Sequence, residues 1–132
     1  MKHYHVSILI APGFDERLVV SCLSQMREAG VEVSLVGLMP GLIKSYRGLK
    51  VHSDISIDQL PQVTNPQLIL VPGGHQCTSV LMADPRAYRL VETTLAKDGF
   101  VAVAPDAQSV LTSIGFPLRP ADARLLKQEH LD

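Results

Sequence analysis

Short apolar runs alternate along this chain with segments of helical period. HVSILIAP, residues 5–12, is almost continuously apolar, rich in Val and Ile and ended by Pro12-Gly13, the pattern of a strand covered on both faces. In DERLVVSCLSQMREAG, residues 15–30, Leu18, Cys22, Met26 and Ala29 recur at helical spacing with Val19 and Leu23 beside them. Asp15 and Glu16 favour the start of that helix and Gly30 ends it. VEVSLVGL, residues 31–38, is a second buried strand, so residues 5–37 read as one strand-helix-strand unit with a right-handed crossover.

The pattern then breaks and resumes. IKSYRGLKVHSD, residues 43–54, places Gly48 between two short alternating segments and predicts a small hairpin or bent strand projecting from the main sheet. QLILVPGG, residues 67–74, is a third buried strand, and DPRAYRLVETTLAKDG, residues 84–99, is a helix with Asp84 as cap, Pro85 at its first position and Gly99 at its stop. FVAVA, residues 100–104, is a fourth strand, broken at Ala104-Pro105-Asp106 before another helix. Strands and helices in this order predict a doubly wound α/β fold: a mostly parallel sheet with helices on both faces. The tail PADARLLKQEHLD carries Leu125, Leu126 and Leu131 on a short polar helix that needs the sheet or a partner to dock on.

Composition narrows the function classes. A chain of 132 residues is expected to form one domain. Formal net charge is -1, and Lys and Arg are scattered with no stripe to neutralise phosphates, so nucleic acid is not an expected partner. No tract is apolar enough to span a bilayer, so a cytoplasmic protein with no membrane association is expected. Cys22 and Cys77 are far apart in no metal-ligand spacing, which fits a reducing compartment, and Cys22 falls on the apolar stripe of the first helix. His3 and His5 alternate as residues on one face of a strand start would; no metal and no cofactor is expected.

The ordered pieces APGFDE, REAGVEVSLVG, GLKVHSDISI, LILVPGG and DGFVAVAPDAQSVLTSIGF resemble the ThiJ/PfpI family over residues 4–116. The resemblance implies the flavodoxin-like sandwich related to class I glutamine amidotransferases, whose active members are hydrolases, glyoxalases, deglycases or peptidases. It also implies a cysteine at the strand-to-helix elbow, a glutamate at the first loop-helix junction, and often a later histidine. Here the elbow position falls on Pro105, or on Asp106 with a slip of one, and the glutamate position falls on Leu18. Against that pattern, the segment 117–132 is expected to stand in place of the family's further strands and closing helix. Thiolate chemistry needs its sulfur tuned by a helix start and a neighbouring acid, whereas proline is inert and suits a helix's first turn.

What remains for a ligand is a crevice around Gly13, Asp15, Glu16, Gly73, Gly74, His75, Pro105 and Asp106. Gly73 and Gly74 match positions whose N–H groups stabilise an oxyanion in active relatives; alternatively they permit a tight turn. Asp106 is either a nucleophile or a helix cap, and His75 either a general base or a solvent-facing loop residue. Cys77 is either a thiol exposed at the crevice or without function. Asp15 and Glu16 either meet a ligand or serve the helix macrodipole. The leading expectation is a catalytically silent member that binds a small anionic ligand or acts as a regulatory or interaction subunit, as a homodimer. The alternative is an enzyme of hydrolase or glyoxalase type using Cys77 or Asp106 with His75.

Overall fold

A computed structural model describes residues 5–60 and 66–104 and the backbone of 123–125. β1 (His5–Ile10), β2 (Glu32–Gly37), β5 (Ile55–Ser56), β6 (Leu68–Val71), β7 (Phe100–Val103) and β8 (Ala123–Leu125) form one sheet in the order β5-β2-β1-β6-β7-β8, every pairing parallel. β3 (Leu42–Lys44) and β4 (Lys50–His52) form a separate antiparallel hairpin. The helices are α1 (Glu16–Glu28), α2 (His75–Met82) and α3 (Pro85–Ala96). This is the doubly wound architecture that the alternating pattern predicts and the flavodoxin-like form that the resemblance implies.

β1 lies between β2 and β6, in register from His5↔Glu32 to Ile10↔Gly37 on one side and from Val6↔Leu68 to Ile8↔Leu70 on the other. Neighbours on both edges and both faces explain its unbroken apolar run: Val6, Ile8, Leu9 and Ile10 are sealed from solvent. α1 turns Leu18, Val19 and Cys22 inward, as its period predicts, while Asp15 caps it by accepting from the Arg17 and Leu18 amides at 3.1 and 3.4 Å. Asp84 and Pro85 start α3 as expected. Its end differs slightly from the sequence reading. Asp98, not Gly99, takes the left-handed conformation, and Gly99 is required by crowding, since a Cβ there would lie 2.8 Å from the Thr94 carbonyl oxygen.

Three elements depart from the sequence reading. α2 occupies the stretch read as a loop carrying His75 and Cys77, because its eight residues lack a polar cap and a long amphipathic repeat. The two-residue β5 is too short for any period to reveal, and it borders β2 through Val36↔Ile55 and Gly37↔Ser56. Residues 123–125, read as part of a tail helix, instead extend the sheet as β8 beside β7. Edge pairing supplies main-chain hydrogen bonds that a weakly helical segment cannot match alone.

Arg86 fastens the start of α3 to the rest of the domain. Its guanidinium donates to both Asp84 carboxylate oxygens at 3.0 and 2.7 Å, to Asp58 Oδ1 at 2.8 Å and to the Leu38 carbonyl at 3.1 Å. The side-chain hydrogen bond from Arg86 is the main reason the Asp84 carboxyl is held below its ordinary value of 3.8. A depressed carboxyl stabilises the fold above its unfolded value, and that contribution disappears as pH falls through the folded value. Asp84→Asn should therefore cost about 1–3 kcal/mol at neutral pH. In urea unfolding the gap between the wild type and this variant should shrink as pH falls below the ordinary carboxylate value, whereas an undiminished gap in strong acid would contradict the assignment.

Candidate functional site

All strands of the sheet being parallel, the loops after β1 and β6 emerge from the same edge, where ligands bind in open α/β sheets. The two loops meet at their glycines, with the Gln76 side chain packed against Gly13. Gly13 and Gly74 are both left-handed, with φ of 88° and 89°, and a Cβ on Gly74 would collide with the Gly13 carbonyl oxygen and stand 3.2 Å from the Asp15 nitrogen. The Asp15 amide donates to the Gly73 carbonyl at 3.3 Å. The β3–β4 hairpin joins them: Gly13 N–H donates to the Lys44 carbonyl and Tyr46 N–H to the Phe14 carbonyl, each at 2.9 Å.

Between these pieces lies an open cleft of about 200 Å³ lined by Asp15, Arg17, Tyr46, Arg47, Gly74 and His75. Gly74 is also the N-cap of α2. It brings no capping side chain, and its carbonyl accepts from the Thr78 amide and hydroxyl at 2.9 and 3.0 Å. The positive end of α2 and the guanidinium groups of Arg17 and Arg47 therefore share one small opening. Arg47 lies over the Tyr46 ring, 5.6 Å from its centre, and its Nη1 stands 3.8 Å from Glu16 Oε2. The Tyr46 ring is 74% exposed.

The expected crevice residues are only partly united. Asp15, Gly74 and His75 line the cleft, whereas Gly13 and Gly73 are buried beneath it as the loops' contact. Asp15 is occupied as the α1 cap, and Glu16 is buried behind the rim with Oε2 making no hydrogen bond. His75 is exposed as expected, but on the first turn of a helix. Cys77, read as an exposed thiol, is 0% exposed, because α2 turns its residue 77 face toward the core with Thr78 and Leu81. Cys22 is buried too, and desolvation pushes its thiol up to about 11. Pro105 and Asp106, like His3, lie outside the described residues.

Arg17, Tyr46 and Arg47 were not singled out in the sequence. Arg17 follows the acidic pair at a helix start, and Tyr46-Arg47 sits in a turn whose seat on the β1 loop is a tertiary contact. Leu18, at the position where the resemblance implies a glutamate, is a core residue 6% exposed. Among the described residues no cluster of three His, Cys, Asp or Glu side chains is placed to hold a metal ion, and no helix is long and apolar enough to cross a membrane.

Fold and cleft together define a doubly wound α/β protein with a polar opening, lined by one carboxylate, two guanidinium groups and an imidazole, at the carboxyl edge of its sheet. The chain belongs to the DJ-1/PfpI family, whose profile matches residues 4–117. It is 27% identical over 115 residues to catalase HPII of Pseudomonas aeruginosa, a match that spans 87% of this chain and 16% of the catalase. Among solved structures, Drosophila melanogaster DJ-1beta superposes with a TM-score of 0.79 at 19% identity, over 96% of this chain and 75% of that one. A two-domain protein of Anabaena variabilis with DJ-1/ThiJ/PfpI-like and ferritin-like domains superposes with a TM-score of 0.71 at 22% identity, over 81% of this chain and 32% of that one. These structural likenesses show a shared fold.

If the glycine contact holds the cleft together, Gly74→Ala should destabilise the protein well beyond Gly41→Ala, whose φ of 92° carries the same strain but whose Cβ would meet open space. Left-handed strain alone costs about 1–2 kcal/mol. Thermal unfolding compares the two directly, and equal losses would remove the steric argument.

Proposed function

We propose that this chain is a catalytically silent DJ-1/PfpI domain whose cleft binds a small anion, serving as a binding or regulatory module of the cytoplasm. The observation that carries this reading is the make-up of the cleft wall: Arg17, Arg47 and His75 beside the start of α2, against one carboxylate, Asp15, that is engaged as the α1 cap. Guanidinium groups and a helix start favour a carboxylate or phosphate oxygen over any neutral group. Turnover by covalent catalysis would need an activated nucleophile within reach of a base. Cys77, the thiol near His75 in sequence, is sealed in the core, and Leu18 offers no carboxyl to tune a sulfur. Two buried cysteines outside any disulfide also fit a reducing compartment.

Inorganic phosphate titrated by calorimetry tests the binding role. Arg17→Ala and Arg47→Ala should each weaken saturable binding about tenfold, the effect of losing one hydrogen bond to a charged group. Wild-type protein should leave methylglyoxal and simple esters unchanged. Turnover abolished by His75→Ala would overturn the silent reading in favour of an enzyme.

An interaction role finds support in the relatives that carry this fold within longer polypeptides, the catalase and the protein with a ferritin-like domain. The hairpin and its turn present Leu42, Tyr46 and Leu49 to solvent, an apolar group that association would cover. We take the partner to be a second copy of the chain. Sedimentation at micromolar concentration should give a dimer, and Leu42→Asp with Leu49→Asp should give a monomer; a wild-type monomer would refute it.

A further inference from the structure

Glu16 stands beside the cleft without lining it. Its side chain is 11% exposed, and Oε2 is buried with no hydrogen bond. A buried carboxylate is costly unless a cation pairs with it. The cation is Arg47, whose Nη1 lies 3.8 Å from Oε2, close enough for charge attraction but beyond hydrogen-bond length. Arg47 is about half exposed, so this attraction meets the guanidinium on one side only. On another side the group rests over the Tyr46 ring. An arginine on a surface turn would ordinarily sample many rotamers. Here a buried carboxylate and an aromatic face lie against it, at the rim of the cleft that Arg47 lines.

We propose that Glu16 is a positioning residue for anion binding: its buried carboxylate holds the Arg47 guanidinium at the cleft rim, so that an incoming oxyanion meets an arginine already ordered. The proposal rests on the anion-binding reading of the cleft and adds to it the group that prepares the site. Ordering the guanidinium beforehand removes part of the entropy lost on binding. It also has a counterintuitive sign. Glu16 is negative, so by charge alone its removal should tighten anion binding. As a positioning residue, its removal should weaken it.

The experiment compares wild type, Glu16→Gln, Arg47→Lys and the double variant. Inorganic phosphate is the probe, followed by calorimetry, and the arginine Nε–Hε resonances are recorded by NMR without phosphate. Glu16→Gln should weaken phosphate binding about three- to tenfold, the scale of immobilising one long side chain on binding. The double variant should bind no worse than Arg47→Lys, because Glu16 acts only through Arg47. Without phosphate, the Arg47 Nε–Hε signal should be ordered in wild type and mobile in Glu16→Gln. Unchanged or tighter phosphate binding by Glu16→Gln, additive losses in the double variant, or equal Arg47 order in the two proteins would overturn the proposal. Wild-type protein that fails to bind phosphate while Arg47 remains ordered by Glu16 would refute the anion-binding reading, and the ligand role with it, but leave the Glu16–Arg47 restraint standing as structure.

Discussion

The contact between the β1 loop and the β6 loop is the constraint on which the rest of the edge depends. Gly74 meets the Gly13 carbonyl closely enough to leave no room for a Cβ, and the Asp15 amide reaches the Gly73 carbonyl. Because both glycines take a left-handed turn, the two loops fold over the sheet edge and the starts of α1 and α2 come together. The hairpin closes the arrangement with two backbone hydrogen bonds to Gly13 and Phe14. Arg17, Arg47 and His75 arrive from three different segments, yet the same few main-chain contacts place them all.

This arrangement separates shape from chemistry. Loops at the carboxyl edge of a parallel sheet form a crevice whether or not they carry a nucleophile, which is why one fold hosts many functions. Here Leu18 and Cys77 face the core, while Asp15, Arg17, Arg47 and His75 line the rim. The fold alone therefore does not decide between recognition and bond-breaking, and the groups at the rim carry that distinction.

Much of the fold was legible because burial on both faces writes itself into sequence. β1, β2, β6 and β7 appear as apolar runs, and α1 and α3 as helical periods with caps at Asp15 and Asp84. The site was less so. His75, Gly74 and Asp15 could be placed at a sheet edge by the turn glycines, but α2 was invisible, having no polar cap and only eight residues. Cys77 therefore seemed exposed when the helix buries it. Arg47 and Tyr46 carry no signal of their own: their role comes from the hairpin's seat on the β1 loop, more than thirty positions away in sequence, and local pattern does not record such contacts. β8 was missed because edge pairing overrode a weak helical preference.

The central claim is that the cleft lined by Arg17, Arg47 and His75, built by the two glycine turns, receives an anion. A map of backbone amide shifts during phosphate titration tests it most directly. Saturable shifts confined to residues 15–17, 46–47 and 74–76 are the result expected. Shifts scattered over the surface, or centred away from the Gly13–Gly74 contact, would contradict it.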